Sequence, residues 1–67
     1  MRTAYYDRDA DVAWFPISES DDVVSQPIHD WLIDRDRASG ATAAIEVRNA
    51  NLHVPLAVLL ALPEPPE

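Results

Sequence analysis

The sequence contains no cysteine and no lysine, and it has a single glycine among its 67 residues. Without cysteine there is neither a disulfide framework nor a thiolate metal cluster, so staples of that kind are excluded. A chain of this length buries only about 60% of its unfolded surface. We therefore expect self-association to add stability, and the lack of cysteine fits a cytoplasmic protein.

Positive charge is also scarce, since five arginines face twelve acidic residues and give a net charge of −7 at pH 7. Such a charge repels a phosphate backbone and argues against nucleic acid as a partner. The apolar run at residues 54–62 is much shorter than the roughly 20 residues that span a bilayer. The N-terminus lacks the apolar core of a secretory signal. We expect a soluble protein with no membrane partner.

The chain does contain β-branched and aromatic residues in short runs, with turn residues between them. These runs predict strands at residues 2–6, 12–17, 23–30, 31–35 and 41–48. Pro16 and Pro27 fall within two of them, and a proline in a strand indicates an edge or a bulge. Gly40 precedes the last strand, where a hairpin turn needs a left-handed residue.

Residues 55–62 predict a short C-terminal helix, because Pro55 suits a first helical turn and an apolar stretch follows it. Every side of that helix is apolar, so it must bury nearly all its faces against the sheet or a partner chain. Residues 63–67, PEPPE, are expected to form a flexible tail. The predicted architecture is one α+β domain over residues 1–62, a small antiparallel β-meander of about five strands with a short C-terminal helix.

Two stretches, YYDRDADVAWF at residues 5–15 and WLIDRDRASGATAAIEVRNA at residues 31–50, carry a resemblance to a known family. Over roughly residues 4–51 the chain resembles the short bacterial proteins known only as domain of unknown function 2283. Their pattern runs from a Tyr-Asp start through an acidic turn, an apolar-aromatic strand and an Asp-rich hairpin to a strand carrying Ile-Glu. It falls here on Tyr6, Asp7, Ala10, Asp11, Trp14, Phe15, Asp34, Asp36, Gly40, Ile45, Glu46 and Ala50.

The resemblance implies a small antiparallel sheet, often extended by a C-terminal helix, and it implies no established activity. Some proteins of this kind lie beside toxin-like genes, which adds an antitoxin-type binding role to the hypotheses. The chain departs from the family pattern at Ala44, where glycine is usual, and at Pro16, where a polar strand residue is expected.

Three aspartates, Asp7, Asp9 and Asp11, alternate along the first turn and raise the question of a cation site. A calcium loop of the EF-hand type needs glycine at its position 6 and glutamate at position 12, but the chain has valine and serine there. We interpret Asp7 as the cap of the turn, accepting backbone N–H bonds, while the others face water. Asp34 and Asp36 receive the same interpretation, and weak cation binding stays the alternative.

No catalytic arrangement is evident in the sequence. His29 and His53 lie far apart without an H-x-x-x-H spacing, so we interpret them as surface or dimer-contact residues. There is neither a G-x-S-x-G motif nor a glycine-rich phosphate loop. We expect a protein that is not an enzyme and that holds no cofactor or metal.

Aromatic and apolar residues offer the strongest candidates for an interface. Strand alternation directs Phe15 toward the helix-covered core and Trp14 to the opposite face, where we expect Tyr5 and Trp31 to join it. Exposed large aromatic side chains are typical of interfaces. The candidate interface residues are Tyr5, Trp14, Trp31, Leu56, Leu59 and Leu60. We expect a homodimer or higher homo-oligomer, with another protein or intramolecular cover as alternatives.

Glu46 must point away from the face that its neighbours Ile45 and Val47 bury, with Arg48 on its own side. Glu46 either forms an ion pair or presents its carboxylate on a binding face beside Trp14. These observations predict a non-catalytic protein-interaction or structural module that self-associates. The alternatives are an antitoxin-like binder of a small basic protein, and a metal or small-ligand binding protein that uses the carboxylates.

Overall fold

The computed structural model describes residues 3–66, and they form a five-stranded antiparallel sheet with a 3-10 turn and a short helix. The elements are β1 Tyr5–Asp7, β2 Val12–Pro16, β3 Val23–Ile28, β4 Trp31–Asp36, β5 Thr42–Arg48, the 3-10 turn Ala50–Leu52 and α1 Leu56–Ala61. The predicted α+β class is confirmed. The predicted first strand started at residue 2, which lies outside the described residues.

The strand order is β1-β2-β5-β4-β3, which is not that of a simple meander. β5 lies at the centre between β2 and β4, and residues 17–22 cross one end of the sheet from β2 to the far edge. The central position fits the burial of β5, in which Ala43, Ala44 and Val47 are all buried. Pro27 lies in the edge strand β3, as a residue without a donor requires.

Pro16 ends β2, which is an interior strand, but β1 does not extend far enough to pair with this position. Its neighbour Ile17 donates its backbone N–H to the carbonyl of Ala43 in β5 at 2.8 Å. Successive N–H groups point to opposite sides of a strand, so the nitrogen of Pro16 points toward β1. Because β1 pairs with β2 only as far as Trp14, no ladder bond is lost there.

One face of the sheet carries the core. The register aligns Tyr6, Ala13, Val47 and Trp31 across four strands, and directly opposed residues share a face. Leu59 of α1 covers this row and is 0% exposed. The helix therefore lies over the β1, β2 and β5 part of the sheet, and we call this face the helix side.

Two of the predicted interface residues are placed differently by the structure. Trp31 lies on the helix side and packs against the core, not beside Trp14, because its register partner is the buried Val47. Leu59 is fully buried within its own chain. Trp31 therefore does not share a face with Trp14, and Leu59 is not available on the outer surface of the helix.

The helix buries fewer of its faces than its composition predicts. Leu59 is its one buried residue, whereas Leu56, Val58 and Leu60 are exposed. Among residues 3–66 no helix has the length and apolar character needed to cross a bilayer. About half of the surface of Leu56, Val58 and Leu60 is therefore left without cover by residues 3–66.

Residues 63–66 lie beside β1. The backbone N–H of Tyr6 donates to the carbonyl of Pro63 at 2.9 Å. This bond satisfies a backbone group of the edge strand, where unpaired donors invite contact with other chains. The flexibility of residues 63–67 stays a prediction, and Glu67 lies outside the described residues.

Candidate functional site

The face of the sheet opposite the helix carries a row of residues from all five strands, of which the first four are partly buried and the last, from β3, is exposed. The register aligns Tyr5, Trp14, Glu46, Leu32 and Pro27 across β1, β2, β5, β4 and β3. We call this the open face. The predicted placement of Trp14, Tyr5 and Glu46 on one face is confirmed by this register, while Trp31 is absent from it.

Tyr5 and Trp14 stack on the open face, with ring centroids 5.5 Å apart and planes inclined by 25°. Beside them lies a cleft of about 520 Å³, bounded on one side by residues 63–66. Its lining residues are Thr3, Ala4, Tyr5, Trp14, Pro63, Glu64 and Pro66. The volume lies within the range of small-molecule pockets, roughly 300–1,000 Å³.

The charge around this cleft is negative. The pKa of Tyr5 is raised by burial first, and then by the carboxylates of Glu46 and Asp7. Glu46 takes no part in the ion pairs among residues 3–66. Arg48, its predicted partner, donates to the carbonyl of His29 at 3.3 Å. Glu46 thus presents an unneutralised carboxylate beside Trp14.

A second surface lies on the helix side and is formed by large apolar residues. Leu52 is 74% exposed, Leu56 is 55% exposed, and Val58 and Leu60 are each 48% exposed. Strand alternation places Val24 and Ile28 of β3 on the same side, because Ile28 pairs with Trp31. We call these six residues the helix-side surface: Val24, Ile28, Leu52, Leu56, Val58 and Leu60.

The two acidic turns, which begin at Asp7 and Asp36, are capped in the same way. Asp7 accepts the backbone N–H groups of Asp9 and Ala10 at 3.0 and 3.2 Å, so its predicted role as a turn cap is confirmed. Asp36 likewise accepts the N–H groups of Ala38 and Ser39, each at 2.9 Å. In both turns a carboxylate holds the backbone of the two or three residues that follow it.

Asp34 is not a turn cap, contrary to the prediction. It lies within β4 and accepts the hydroxyl of Ser25 on the neighbouring strand at 2.6 Å. The adjacent turn is capped by Asp36 and ends at Gly40, whose φ of 76° is the left-handed conformation that the sequence predicts.

Asp11 does not simply face water, because it joins three parts of the chain. It accepts the hydroxyl of Tyr6 at 2.6 Å and the side-chain amide of Asn51 at 2.7 Å. It also accepts the backbone N–H of Asn51 at 3.2 Å. Asp7 and Asp11 therefore serve different parts of the structure. Among residues 3–66 no three acidic or histidine side chains are grouped to hold a metal ion.

Asp30 and His53 form a pair that sequence reasoning missed. The Nε2 atom of His53 lies 2.9 Å from Oδ2 of Asp30, and its ring lies 5.4 Å from that of Trp31. Asn49 donates to the other carboxylate oxygen at 3.2 Å. No local motif links residues that lie so far apart in the chain, so only the fold reveals this contact.

Acid is expected to destabilise the protein through Asp30 and Asp36. The pKa of Asp30 lies below its ordinary 3.8, chiefly because His53 hydrogen bonds to it. That of Asp36 is lowered chiefly by the hydroxyl of Ser20. A lowered native pKa gives stability that is present above the unfolded value and lost as pH falls through the native one. Thermal unfolding between pH 6 and 2 should therefore show a falling midpoint below about pH 4.

The double variant Asp30→Asn, Asp36→Asn tests this assignment. Its unfolding midpoint should fall less steeply with acid than that of the wild type, because both titrating groups are removed. Asp9→Asn, which removes an exposed carboxylate from a turn, should keep the slope of the wild type. Equal slopes for the double variant and the wild type would show that other groups govern acid unfolding.

Searches with this chain found no matching protein-family model, no matching curated protein and no matching solved structure.

Proposed function

We propose that this chain is a non-catalytic protein-interaction or structural module that self-associates through the helix-side surface. The observation that carries the proposal is the exposure of Leu52, Leu56, Val58 and Leu60 around a helix whose one buried residue is Leu59. Burying a half-exposed leucine or valine is worth on the order of 1 kcal/mol. Exposure of several large apolar residues in one segment is typical of an interface.

Charge supports a second copy as the occupant of this surface. Residues 50–63 contain no aspartate, glutamate or arginine, so the twelve acidic residues all lie elsewhere in the chain. Two copies that meet there avoid direct contact between like charges, despite a net charge of −7 each. Residues 50–63 also offer a basic partner no carboxylate of their own. A symmetric dimer in which each copy presents the same patch fits these properties.

Sedimentation equilibrium at micromolar concentration tests the proposal. The wild type should dimerise, whereas Leu56→Glu and Leu60→Glu should weaken dimerisation by about 100-fold, because each places two charges in a symmetric apolar contact. Both residues are exposed, so the fold should persist, and circular dichroism checks this.

Ile17→Glu is the matched control. Ile17 is an exposed aliphatic residue, 59% accessible, at the end of the sheet away from the 3-10 turn. It should leave the dimer intact. A wild type that stays monomeric at these concentrations, or equal weakening by all three variants, would contradict the proposal.

We also propose that the protein is cytoplasmic and that it belongs to the domain of unknown function 2283 family. The lack of cysteine supports the first. The antiparallel sheet with a C-terminal helix, together with the turn aspartates Asp7 and Asp36, supports the second. An antitoxin-type role would require a basic partner on the acidic side of the molecule. Retention of such a partner at low salt, and its release at high salt, would favour that role.

A further inference from the structure

The cleft beside Tyr5 and Trp14 lies on the open face and has no part in the proposed dimer. Its walls are mostly apolar, and two of them are the stacked aromatic rings. The face of an aromatic ring attracts a cation within about 6 Å, and tryptophan attracts it most strongly. Because the two rings stack on each other, the faces left for a cation are their outer ones.

The carboxylates near the cleft also favour a positively charged ligand. Glu64 lines it, and Glu46 lies next to Trp14 in the register of β2 and β5. No basic side chain occurs among the described residues that line it. A cavity that shares Glu64 with the cleft contains Arg8, but Asp7 and Asp9 line that cavity as well. Among residues 3–66 the charge around the cleft is therefore negative on balance, which disfavours phosphates and carboxylates as ligands.

We propose that this cleft binds a small alkylammonium ligand, held by the rings of Tyr5 and Trp14 and by the carboxylate of Glu64, with the nearby carboxylate of Glu46 adding negative charge. The volume of about 520 Å³, bounded on one side by Pro63, Glu64 and Pro66, is of the size that small-molecule sites have. A quaternary ammonium group fits best, because its methyl groups meet an apolar wall and its charge meets the ring faces and acids.

Isothermal titration calorimetry with choline at low salt tests the proposal, with 3,3-dimethylbutan-1-ol as the uncharged analogue of the same shape. Choline should bind at least about tenfold more tightly than the alcohol, because only choline gains the cation–π and carboxylate terms. Equal binding of the two would reduce the site to an apolar cleft and overturn the proposal. So would absence of any choline binding at millimolar concentration.

Three variants assign the binding to these residues. Trp14→Leu should weaken choline binding by about tenfold or more, and Trp14→Phe, which keeps a ring, should weaken it less. Glu46→Gln should weaken it several-fold, whereas Asp34→Asn should leave it unchanged, since Asp34 lies on the same face two strands beyond β2. Unchanged binding in Trp14→Leu and Glu46→Gln would overturn the assignment.

A final comparison separates a free ligand from a basic protein side chain. N-acetyl-arginine amide presents a guanidinium group in a peptide setting. Binding of this compound without binding of choline would overturn the proposal in favour of a basic protein partner. The outcome is independent of dimerisation, because Leu56→Glu alters the opposite side of the sheet and should keep choline affinity.

Discussion

Leu59→Ala is expected to lower the free energy of unfolding by about 3 kcal/mol. Leu59 is 0% exposed and contacts the core formed by Tyr6, Ala13, Val47 and Ala50. Two of those residues are alanines and cannot extend into the space that a shortened side chain leaves. A domain of this size has a total stability of only about 3–10 kcal/mol. The variant should therefore lose between about a third and all of the stability of the fold.

Urea unfolding followed by circular dichroism measures this loss. The protein must be dilute enough to be monomeric, so that the result reports the fold and not the proposed dimer. Leu52→Ala is the control, because Leu52 is 74% exposed and should lose less than about 1 kcal/mol. Similar losses in the two variants would mean that Leu59 does not form the core of the monomer.

Asp11→Ala is expected to cost about 3 kcal/mol, the second large effect. The substitution removes the acceptor of the Tyr6 hydroxyl and two bonds from Asn51. The Tyr6 side chain is nearly buried, so its hydroxyl has limited access to water as a replacement. Asp11 also has a φ of 55°, a left-handed conformation that alanine adopts less readily than aspartate.

Two comparisons divide this cost into its parts. Asp11→Asn keeps an acceptor oxygen and tolerates the left-handed backbone, so it should lose only about 1 kcal/mol. Asp9→Ala lies in the same turn but is exposed, and it should stay within about 0.5 kcal/mol of the wild type. Thermal unfolding of the three variants under one set of conditions gives the ranking. An Asp9→Ala loss as large as that of Asp11→Ala would contradict the role given to Asp11.

The local elements were predictable because each depends on residues close together in the chain. Val12–Pro16 and Thr42–Arg48 are strands, as their β-branched and aromatic residues predict. Gly40 closes its turn with positive φ, and Pro55 immediately precedes α1. The alternation of β2 correctly separated Trp14 from the core residue Ala13. These outcomes follow from sterics and side-chain direction within a few residues.

The face of Trp31 was not predictable in the same way. Both faces of β4 begin with apolar residues, Trp31 and Ile33 on one face and Leu32 on the other. The sequence of β4 therefore does not say which face points toward the core. The decision comes from the register with β5, where Trp31 meets Val47. For the same reason Leu59, one leucine among several in α1, could not be singled out as the buried one.

The candidate binding sites likewise depend partly on local sequence and partly on the tertiary structure. The sequence by itself determined the strands, the helix, the turn aspartates and an acidic molecule with an uncharged C-terminal segment, because composition and local geometry control these properties. Only the tertiary structure decided that β5 is central, that Asp30 meets His53, and that residues 63–66 close a cleft beside Tyr5 and Trp14. Those contacts join residues far apart in the chain, and they depend on strand order and register, which no short stretch of sequence specifies.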